Sequence, residues 1–400
     1  MAEKMKHILI FSHALELGGA ERALIGLLHA LDYSKVEVDL FLMRHSGEMM
    51  SDLPPQVHLL PELPQYASLA EPIKQTIRKG QLGIALGRFV GKTAAKRRDR
   101  RLGYDAGSSV GLEYSHKYTR RFMPAVGRRE YDLAVSFLTP HYFVAEKVQA
   151  KKKIAWIHTD YTKIRIDRKS EKQMWECYDH IASISGTVSE CFCQVFPELR
   201  SKLVIIENIL PAAVIRKSAL ADCPADMPDD GSLRILSVGR YCEAKNFDNV
   251  PDICSRVRKT GLDVKWYIIG FGGMEDLIRS KIAEAGMEDH VILLGKRSDP
   301  YPYIAHCDLY AQPSRFEGNS VTVREAQVLA KPVVITRYTT SASQLNDGQD
   351  GIVVPMDNEG CAEGIAALLR CPETMTRLSE NCRRGDYANT CQAEKLLQLL

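Results

Sequence analysis

Short runs of consecutive apolar residues recur along most of the chain and are separated by longer stretches with a helical alternation of apolar and polar positions. Unbroken apolar runs are typical of strands that are covered on both faces, as in parallel sheets. Together with helical stretches such as 274–285 and 359–369, they predict an α/β fold in which parallel sheets carry helices on both sides. The predicted strands are 7–12, 37–43, 57–60, 131–137, 153–157, 181–184, 203–206, 234–239, 264–270, 291–295, 309–312, 332–336 and 352–355.

Two stretches interrupt this rhythm. Residues 62–130 contain no strand pattern and are rich in Arg and Lys, and residues 216–232 are polar, with two prolines and an acidic cluster. The second stretch predicts an interdomain connection or a surface loop. Because domains typically hold about 150 residues, a chain of 400 residues predicts two α/β domains of similar size. The predicted organisation is an N-terminal domain over 1–209 with a basic helical insertion over 62–130, a C-terminal domain over 210–384, and a segment over 385–400 that crosses back.

Composition and charge narrow the functional classes. The 53 basic and 50 acidic residues give a net charge of +3, so any nucleic-acid or acidic-partner site would have to be local. The 11 cysteines form no C-x-x-C pair, which favours reduced thiols in a cytosolic setting. No apolar stretch approaches the roughly 20 residues of a membrane-spanning helix. The chain also lacks a D-x-D triplet and zinc-type His/Cys spacing, so we expect no metal site.

The segment that follows the predicted strand 309–312 is the strongest candidate for chemistry. Asn319 or Ser320 can cap the helix predicted to follow, and its free N–H groups would face the crevice where α/β sheets bind anions. Glu317 and Glu325 flank this turn, and both carboxylates can point into one cleft, where they could accept hydrogen bonds from the vicinal hydroxyls of a sugar. Taken alone, they could equally be acids that complement the helix dipole.

The spacing from Glu317 to Glu325 resembles the E-x7-E motif of retaining glycosyltransferases of family 4, of the bacterial capsular and exopolysaccharide type. The resemblance covers roughly 1–60 and 131–385, and two departures from the family pattern are the segment Gly318 to Ser320 and Gln344. Further landmarks follow in the family's order, namely Gly18 to Arg22, Trp156 to His158, Ser183 to Ser185, Ser189 with Glu190, Ile206 to Asn208, Val238 to Arg240, Lys245 with Asn246, Ile269 to Gly272, Leu294 with Gly295, and Asp350 to Pro355.

This resemblance implies a GT-B fold, in which two Rossmann-like domains face each other across a cleft. It implies transfer of a sugar, with retention of configuration, from a nucleotide-sugar donor (a UDP-sugar) to a saccharide or lipid-linked acceptor in capsule, polysaccharide or glycolipid assembly. No cofactor and no metal would be needed. Two alternatives stay open, a GT-B nucleotide-sugar epimerase or phosphorylase and an inactive partner protein of the same fold.

The resemblance also implies roles for individual residues. Arg240 and Lys245 can neutralise the charge that develops on a departing nucleoside diphosphate, although on spacing alone they could be a surface pair. His158 would face the donor sugar, Glu317 would contact the transferred sugar, and Glu325 would bind the ribose hydroxyls. The expected catalytic residues are His158, Arg240, Lys245 and Glu317, and the expected donor-binding residues are Gly18, Gly19, Gly270, Lys296, Gly318, Asn319, Ser320 and Glu325.

The basic stretch 78–101 holds nine Arg and Lys residues and one acid, interleaved with apolar side chains. It predicts either a solvated helix face or a helix that lies on anionic lipid, where each basic residue contributes about 1 kcal/mol. Lipid-linked acceptors would require such docking, whereas the sparse aromatic residues disfavour RNA. We therefore expect a cytoplasmic protein in peripheral contact with the inner face of a membrane through 78–101, with no nucleic-acid partner.

Overall fold

The computed structural model describes residues 5–104, 108–127, 129–318 and 320–400. The chain divides into two compact units. Residues Met1–Ile209 and Thr390–Leu400 form the N-terminal domain, and Leu210–Asn389 form the C-terminal domain. The last residues of the chain therefore belong to the same unit as the first.

The N-terminal domain is built on a parallel sheet, which has seven strands in the described residues. Its strands are β1 (Lys6–Ser12), β2 (Val36–Leu42), β3 (His58–Leu59), β4 (Tyr131–Ser136), β5 (Ala150–Ile157), β6 (His180–Ser183) and β7 (Leu203–Ile205). They lie in the order β3-β2-β1-β4-β5-β6-β7, so the direction of winding reverses between β1 and β4. Ligands of open α/β sheets bind at such a reversal, outside the carboxyl ends of the strands.

The C-terminal domain carries a second parallel sheet, with six strands in the described residues. They are β8 (Leu233–Val238), β9 (Val264–Ile269), β10 (Val291–Gly295), β11 (Leu309–Gln312), β12 (Val333–Thr336) and β13 (Ile352–Val354). The order β10-β9-β8-β11-β12-β13 places the reversal between β8 and β11. The central strands β1, β4, β8 and β11 follow apolar runs of the sequence, and most of their side chains are buried because both faces of these sheets are covered.

Helices connect the strands in both domains. Those of the N-terminal domain up to β7 are α1 (Gly19–Ala30), α2 (Pro64–Ala67), α3 (Ile73–Arg78), α4 (Leu82–Leu102), α5 (Val110–Thr119), α6 (Tyr142–Lys147), α7 (Arg168–Glu176) and α8 (Gly186–Val195). The remaining helices are α9 (Ala212–Ser218), α10 (Val250–Lys259), α11 (Glu275–Glu284), α12 (Tyr301–His306), α13 (Val321–Val328), α14 (Ser341–Gln344), α15 (Asn358–Leu369), α16 (Pro372–Arg384) and α17 (Gln392–Leu397). Helix α17 packs Ala393 and Leu396 into the N-terminal core.

The described part of the insertion 62–130 is helical, as the lack of a strand pattern predicted. Its helices α4 and α5 pack as an antiparallel pair through glycines. A Cβ at Gly87 would lie 2.7 Å from the carbonyl oxygen of Tyr118, and a Cβ at Gly91 would lie 2.7 Å from that of Tyr114. Only glycine allows backbone to meet backbone this closely.

A buried polar cluster fixes this helix pair to the rest of the domain. Arg98 of α4 forms a bidentate ion pair with Asp167, with both N–O distances at 2.9 Å, and Tyr114 donates to the same carboxylate at 2.7 Å. The pKa of Asp167 is lowered because these donors outweigh the cost of its burial. Since Asp167 also caps α7 through the Ser170 N–H, the insertion is attached to the start of that helix.

The interpretation of 216–232 as an interdomain connection was wrong. This stretch lies inside the C-terminal domain, where it includes the end of α9 and a loop. Met227 is fully buried in the apolar core of that domain, and Asp226 accepts hydrogen bonds from Arg297 and Tyr303. The polar composition reflects a loop anchored by side-chain hydrogen bonds, which sequence alone does not distinguish from a linker.

Candidate active site

The reversal of the C-terminal sheet brings together the two segments with the strongest chemical pattern. Strand β8 ends at Val238, just before Gly239 and Arg240, and the neighbouring strand β11 ends at Gln312, just before the loop that carries Glu317. Lys245 lies in the short helical turn that follows β8. Three of the four predicted catalytic residues, Arg240, Lys245 and Glu317, are therefore at one edge of one sheet.

Glu317 is positioned by a chain of buried hydrogen bonds that begins in β11. The Tyr310 hydroxyl donates to Gln312 at 2.9 Å, the Gln312 amide to the Ser314 hydroxyl at 3.1 Å, and Ser314 to the Glu317 carboxylate at 2.7 Å. Gln312 and Ser314 have no solvent exposure. Thr340 also donates to the carbonyl of Glu317 at 2.7 Å, so both the backbone and the side chain of this residue are fixed.

Lys245 and Glu317 bind each other. The ammonium of Lys245 lies 2.5 Å from a carboxylate oxygen of Glu317, and their side chains are 17% and 12% exposed. The charges of these two groups thus compensate one another, whereas Arg240 is exposed at the end of β8. The sequence predicted that these residues are close together but not that they pair.

A second ion pair joins the two loops. Arg315 binds Asp248 in a bidentate manner at 3.0 and 2.8 Å, and it donates to the carbonyl of Glu243 at 2.7 Å. The loop after β11 is thereby tied to the turn that holds Lys245. Sequence reasoning missed Arg315 and Ser314, although both lie within the segment that it singled out.

Glu325, which the sequence predicted could point into one cleft with Glu317, is fully buried in the structure. It lies on α13 with no exposed surface, and the Tyr301 hydroxyl of α12 donates to it at 3.1 Å. Val323, Ala326, Gln327 and Val328 are buried as well, so α13 is covered around most of its circumference and Glu325 lies inside the domain.

The start of α13 is held by Gln344 rather than by its own cap. Ser320 occupies the N-cap position but its side chain makes no capping bond, and its N–H instead donates to the Gln344 side chain at 2.6 Å. The Gln344 amide returns a bond to the Ser320 carbonyl at 3.3 Å. Gly318 is exposed, with open space where a Cβ would lie, and Asn319 lies outside the described residues.

The prediction that Gly270 provides clearance for a donor has a simpler physical explanation. A Cβ at Gly270 would lie 1.9 Å from the carbonyl oxygen of Gly239 and 2.7 Å from the Tyr241 ring, so the chain itself requires a glycine there. Lys296 follows β10, and its ammonium lies over the exposed ring of Phe271, 5.5 Å from the ring centroid.

In the N-terminal domain, Gly18 is extended and precedes α1, which begins at Gly19. Its backbone angles are open to any residue. The side chain of Glu21 lies over Gly18, with a carboxylate oxygen 2.1 Å from the place of a Cβ at position 18. Burial raises the pKa of Glu21. Gly18 and Gly19, expected to bind the donor, thus lie at a helix start covered by the side chain of Glu21.

His158 directly follows β5, as predicted. Its ring packs against Phe137, with centroids 4.6 Å apart, and stacks parallel to Trp156 at 6.1 Å. Burial lowers the pKa of His158 to about 4, so the imidazole is neutral at physiological pH. Both ring nitrogens are buried without a hydrogen-bond partner among the described residues.

Three further histidines, which sequence reasoning missed, lie in the same domain near the reversal of the sheet. His13 directly follows β1, His141 lies in the loop after β4, and His116 is on α5. The rings of His13 and His116 are 5.8 Å apart, and Ser136 at the end of β4 bonds His141 at 2.8 Å. Burial lowers the pKa of His13 to about 4 and those of His116 and His141 well below the usual value. The strand-end positions of His13 and His141 were visible in the sequence, whereas the position of His116 was not.

The described residues contain no group of three or more His, Cys, Asp or Glu side chains that could hold a metal ion. Within the same ranges, no helix combines the length and the apolar character required to cross a bilayer.

Residues 226–385 match the family of glycosyl transferases group 1. The matched residues all lie within the C-terminal domain. The match contains β8 to β13 and therefore the whole edge where Arg240, Lys245 and Glu317 lie.

Bacterial glycosyltransferases are similar to part of the chain. N-acetylgalactosamine-N,N'-diacetylbacillosaminyl-diphospho-undecaprenol 4-alpha-N-acetylgalactosaminyltransferase of Campylobacter jejuni is 34% identical over 137 residues, which are 34% of this chain and 37% of that protein. The lipopolysaccharide core biosynthesis glycosyltransferase LpsE of Rhizobium meliloti is 27% identical over 186 residues, which are 46% of this chain and 52% of that protein. The match thus spans about half or less of the length of these relatives.

Solved structures share the fold of this chain over nearly its whole length. Alr3699/HepE of Anabaena in complex with UDP superposes with a TM-score of 0.64 at 16% identity, over 98% of this chain and 100% of that chain. Sucrose-phosphate synthase of Thermosynechococcus elongatus gives a TM-score of 0.63 at 16% identity, over 98% of both chains. At this identity the likeness establishes the fold, which confirms the prediction of two Rossmann-like domains of GT-B type.

Proposed function

We propose that this protein is a glycosyltransferase that moves a sugar from a nucleotide-sugar donor to a saccharide or lipid-linked acceptor in polysaccharide or glycolipid assembly. The observation that carries the proposal is the edge at the β8–β11 reversal, where Lys245 and Glu317 form an ion pair beside the exposed Arg240. This edge lies within residues 226–385, which match the glycosyl transferases group 1. The relatives named above add support, since they assemble an undecaprenol-linked saccharide and lipopolysaccharide.

We propose a UDP-sugar as the donor, in line with the UDP complex of the Anabaena neighbour. Arg240 and Lys245 would bind its diphosphate. Lys245 then exchanges part of its contact with Glu317 for the phosphate, which leaves the carboxylate available to a sugar hydroxyl. Glu325 would bind the ribose hydroxyls once the Tyr301 hydroxyl moves aside, and Lys296 with Phe271 would border the base.

The proposed reaction retains the anomeric configuration. The bond from the anomeric carbon to the β-phosphate oxygen breaks, a bond from that carbon to the acceptor oxygen forms on the same face, and the acceptor proton passes to the leaving phosphate. Arg240 and Lys245 stabilise the negative charge on that phosphate in place of a metal ion. The neutral imidazole of His158 would hydrogen-bond the donor sugar, because its nitrogens lack a partner among the described residues.

We also propose that the protein works at the surface of a membrane through 78–101. Leu82, Leu86 and Phe89 of α4 are exposed, which is unusual for large apolar side chains and marks an interaction surface. A lipid-linked acceptor would be presented at such a surface.

A panel of nucleoside diphosphates and nucleotide sugars tests the donor site by thermal shift. A ligand at 100 times its dissociation constant stabilises the folded protein by about 2.7 kcal/mol, so UDP and one UDP-sugar should raise the melting temperature, and Glu325→Gln should reduce that shift. Incubation with the UDP-sugar alone should leave it unchanged, because an acceptor is required. Conversion to another nucleotide sugar would identify an epimerase instead, and no shift with any nucleotide would identify an inactive partner protein.

A further inference from the structure

A cavity of about 620 Å³ lies beside α4 in the basic insertion. Helices α3, α4 and α5 contribute its walls, which include Lys74, Arg88, Lys92, Lys96, Asp99 and Ser115. Since positions 88, 92, 96 and 99 recur at helical spacing, the cavity follows one side of α4 for several turns. None of the residues that line it belongs to the candidate active site described above.

The wall of this cavity is positively charged. Lys74, Lys92 and Lys96 form no hydrogen bond or ion pair with any described residue. Arg88 donates to two backbone carbonyls, those of Ser68 at 2.8 Å and Glu71 at 2.6 Å. Burial lowers its pKa, but a guanidinium stays charged in proteins.

The lining described by the structure contains one carboxylate, that of Asp99. It accepts a hydrogen bond from Ser108 at 2.7 Å. The four cations of the wall therefore exceed the acids, and an anion is the ligand whose charge complements them.

The same helix presents an apolar face next to the cavity. Leu82, Leu86 and Phe89 are 65%, 54% and 63% exposed, and their spacing places them on one side of α4. Further along the helix this side continues with basic residues, including Lys96 and Arg97. A soluble phosphate could contact only the basic cavity, whereas a phospholipid could contact the cavity with its phosphate and the apolar side chains with its acyl chains.

We propose that this cavity binds the phosphate group of an anionic membrane lipid while Leu82, Leu86 and Phe89 lie among the acyl chains. The proposal deepens the membrane contact proposed above and rests on it, but it does not depend on transfer of a sugar. Lysine ammonium groups are mobile donors that suit a phosphomonoester, which carries more charge than a phosphodiester. The site would thus select lipids by headgroup rather than by surface charge alone.

Vesicle flotation with the full chain tests this proposal. Three vesicle types are compared, namely phosphatidylcholine alone, phosphatidylcholine with phosphatidic acid, and phosphatidylcholine with oleate at the same surface charge. Lys92→Gln with Lys96→Gln removes two charges from the cavity, and Arg97→Gln with Arg101→Gln removes two from the same helix outside the cavity lining. Leu86→Ser with Phe89→Ser removes the apolar anchor, and Leu277→Ser, at an exposed leucine of the other domain, is its control.

The expected result is strong binding to phosphatidic acid vesicles. The lysine pair variant should lose about tenfold or more of that affinity, and the arginine pair variant only a few-fold, whereas both should lose equally on oleate vesicles. The Leu86 and Phe89 variant should bind more weakly to both anionic vesicles, and the Leu277 variant should match the wild type.

Three results would overturn the proposal. The two charge variants could lose the same affinity on phosphatidic acid, which would leave only general electrostatics. The wild type could fail to bind any vesicle. Inorganic phosphate could raise the melting temperature through Lys92 and Lys96 without vesicle binding, which would assign a soluble ligand. The UDP thermal shift, measured in parallel on every variant, reports the donor site alone, so a failure here is distinct from a failure of the proposed transferase.

Discussion

The two domains share a sheet topology but use opposite chemistry at the edge where the winding reverses. In the C-terminal domain this edge carries charge, with the Lys245–Glu317 pair, the Arg315–Asp248 pair and an exposed Arg240. In the N-terminal domain it carries neutral imidazoles, since burial lowers the pKa values of four histidines. Charge suits a diphosphate, whereas neutral groups that both donate and accept suit the hydroxyls of sugars. One fold can thus serve two kinds of ligand through the residues that follow its strands.

Lys245→Ala is expected to have the largest effect on the charged edge. Removal of a preorganised donor at a developing charge typically lowers turnover by about 10²–10³, or roughly 3–4 kcal/mol. The initial rate of nucleoside diphosphate release, measured in EDTA and with added magnesium, checks this value. Lys259→Ala, at an exposed lysine of α10, is the matched control and should retain full activity.

Two outcomes would contradict the proposed role of Lys245. A loss of less than about threefold would mean that Lys245 serves only to hold Glu317 in place. Activity abolished by EDTA and restored by metal would mean that a cation outside the protein stabilises the leaving group.

Arg240→Lys should reduce turnover by about 10², slightly less than the loss of Lys245. The positive charge remains, but the fork of two parallel N–H groups that matches a phosphate is lost. The same rate assay measures it, with Arg256→Lys on α10 as the control. Unchanged turnover would show that Arg240 acts as a simple point charge.

Mild acid should destabilise the N-terminal domain, whose edge carries the neutral histidines, and should leave the stability of the C-terminal domain unchanged. Below pH 6.5 the unfolded chain protonates its histidines, whereas burial, assisted for His13 by Arg44, holds the pKa values of His13 and His158 at about 4 in the folded state. Each histidine therefore costs about 1.4 kcal/mol of unfolding free energy per pH unit from 6.5 down to 4. Glu171 opposes this loss, because burial raises its pKa to about 7 and the folded state gains a proton there first.

The lowered pKa values of His116 and His141 add to the loss. Glu171→Gln removes the opposing gain, so it should make the unfolding free energy fall more steeply as the pH drops from 6.5 to 4.5. Hydrogen exchange at pH 7 and 5.5 separates the domains, since peptides of the N-terminal domain should lose protection while those of the C-terminal domain should not. Equal loss in both domains would refute the assignment of acid sensitivity to the buried histidines.

Gly87→Leu should have the smallest of these effects, a destabilisation of about 1–3 kcal/mol confined to the N-terminal domain. Its side chain would meet the carbonyl of Tyr118, which as backbone cannot yield without moving α5. Gly111→Leu on α5 is the control, because open space lies where its Cβ would be. Urea denaturation gives both values, and equal stability of the two variants would refute the close packing of α4 on α5.

The strands could be predicted from sequence because both faces of each sheet are covered, so burial leaves an unbroken apolar run. Lys245 and Glu317 could be placed together because strands β8 and β11 end at the same edge. Their ion pair could not be predicted, since it depends on the rotamers of two loop residues. Likewise the burial of Glu325 follows from the packing of Tyr301, which lies on another helix and leaves no trace in the motif itself.

Two sets of glycines show what their sequence pattern could not. Gly270 belongs to a Gly-rich turn for which the sequence suggested a donor, and in the structure the carbonyl of Gly239 already requires a glycine there. Gly83, Gly87 and Gly91 recur every four residues on α4, a pattern more typical of close helix packing, and this pattern went unused. A glycine in the sequence suggests that another group lies close to its backbone, but only the structure identifies that group.

The glycine face of α4 has a mechanical consequence. At Gly87 and Gly91 no side chain of α4 separates its backbone from that of α5, so the two helices are in direct backbone contact there. Helix α5 in turn carries His116, whose ring lies against His13 at the end of β1. A displacement of α4 would therefore also move α5, a single helix about 10 Å across, and so reach the end of β1. A ligand or surface that displaces α4 should change hydrogen exchange over residues 13–17.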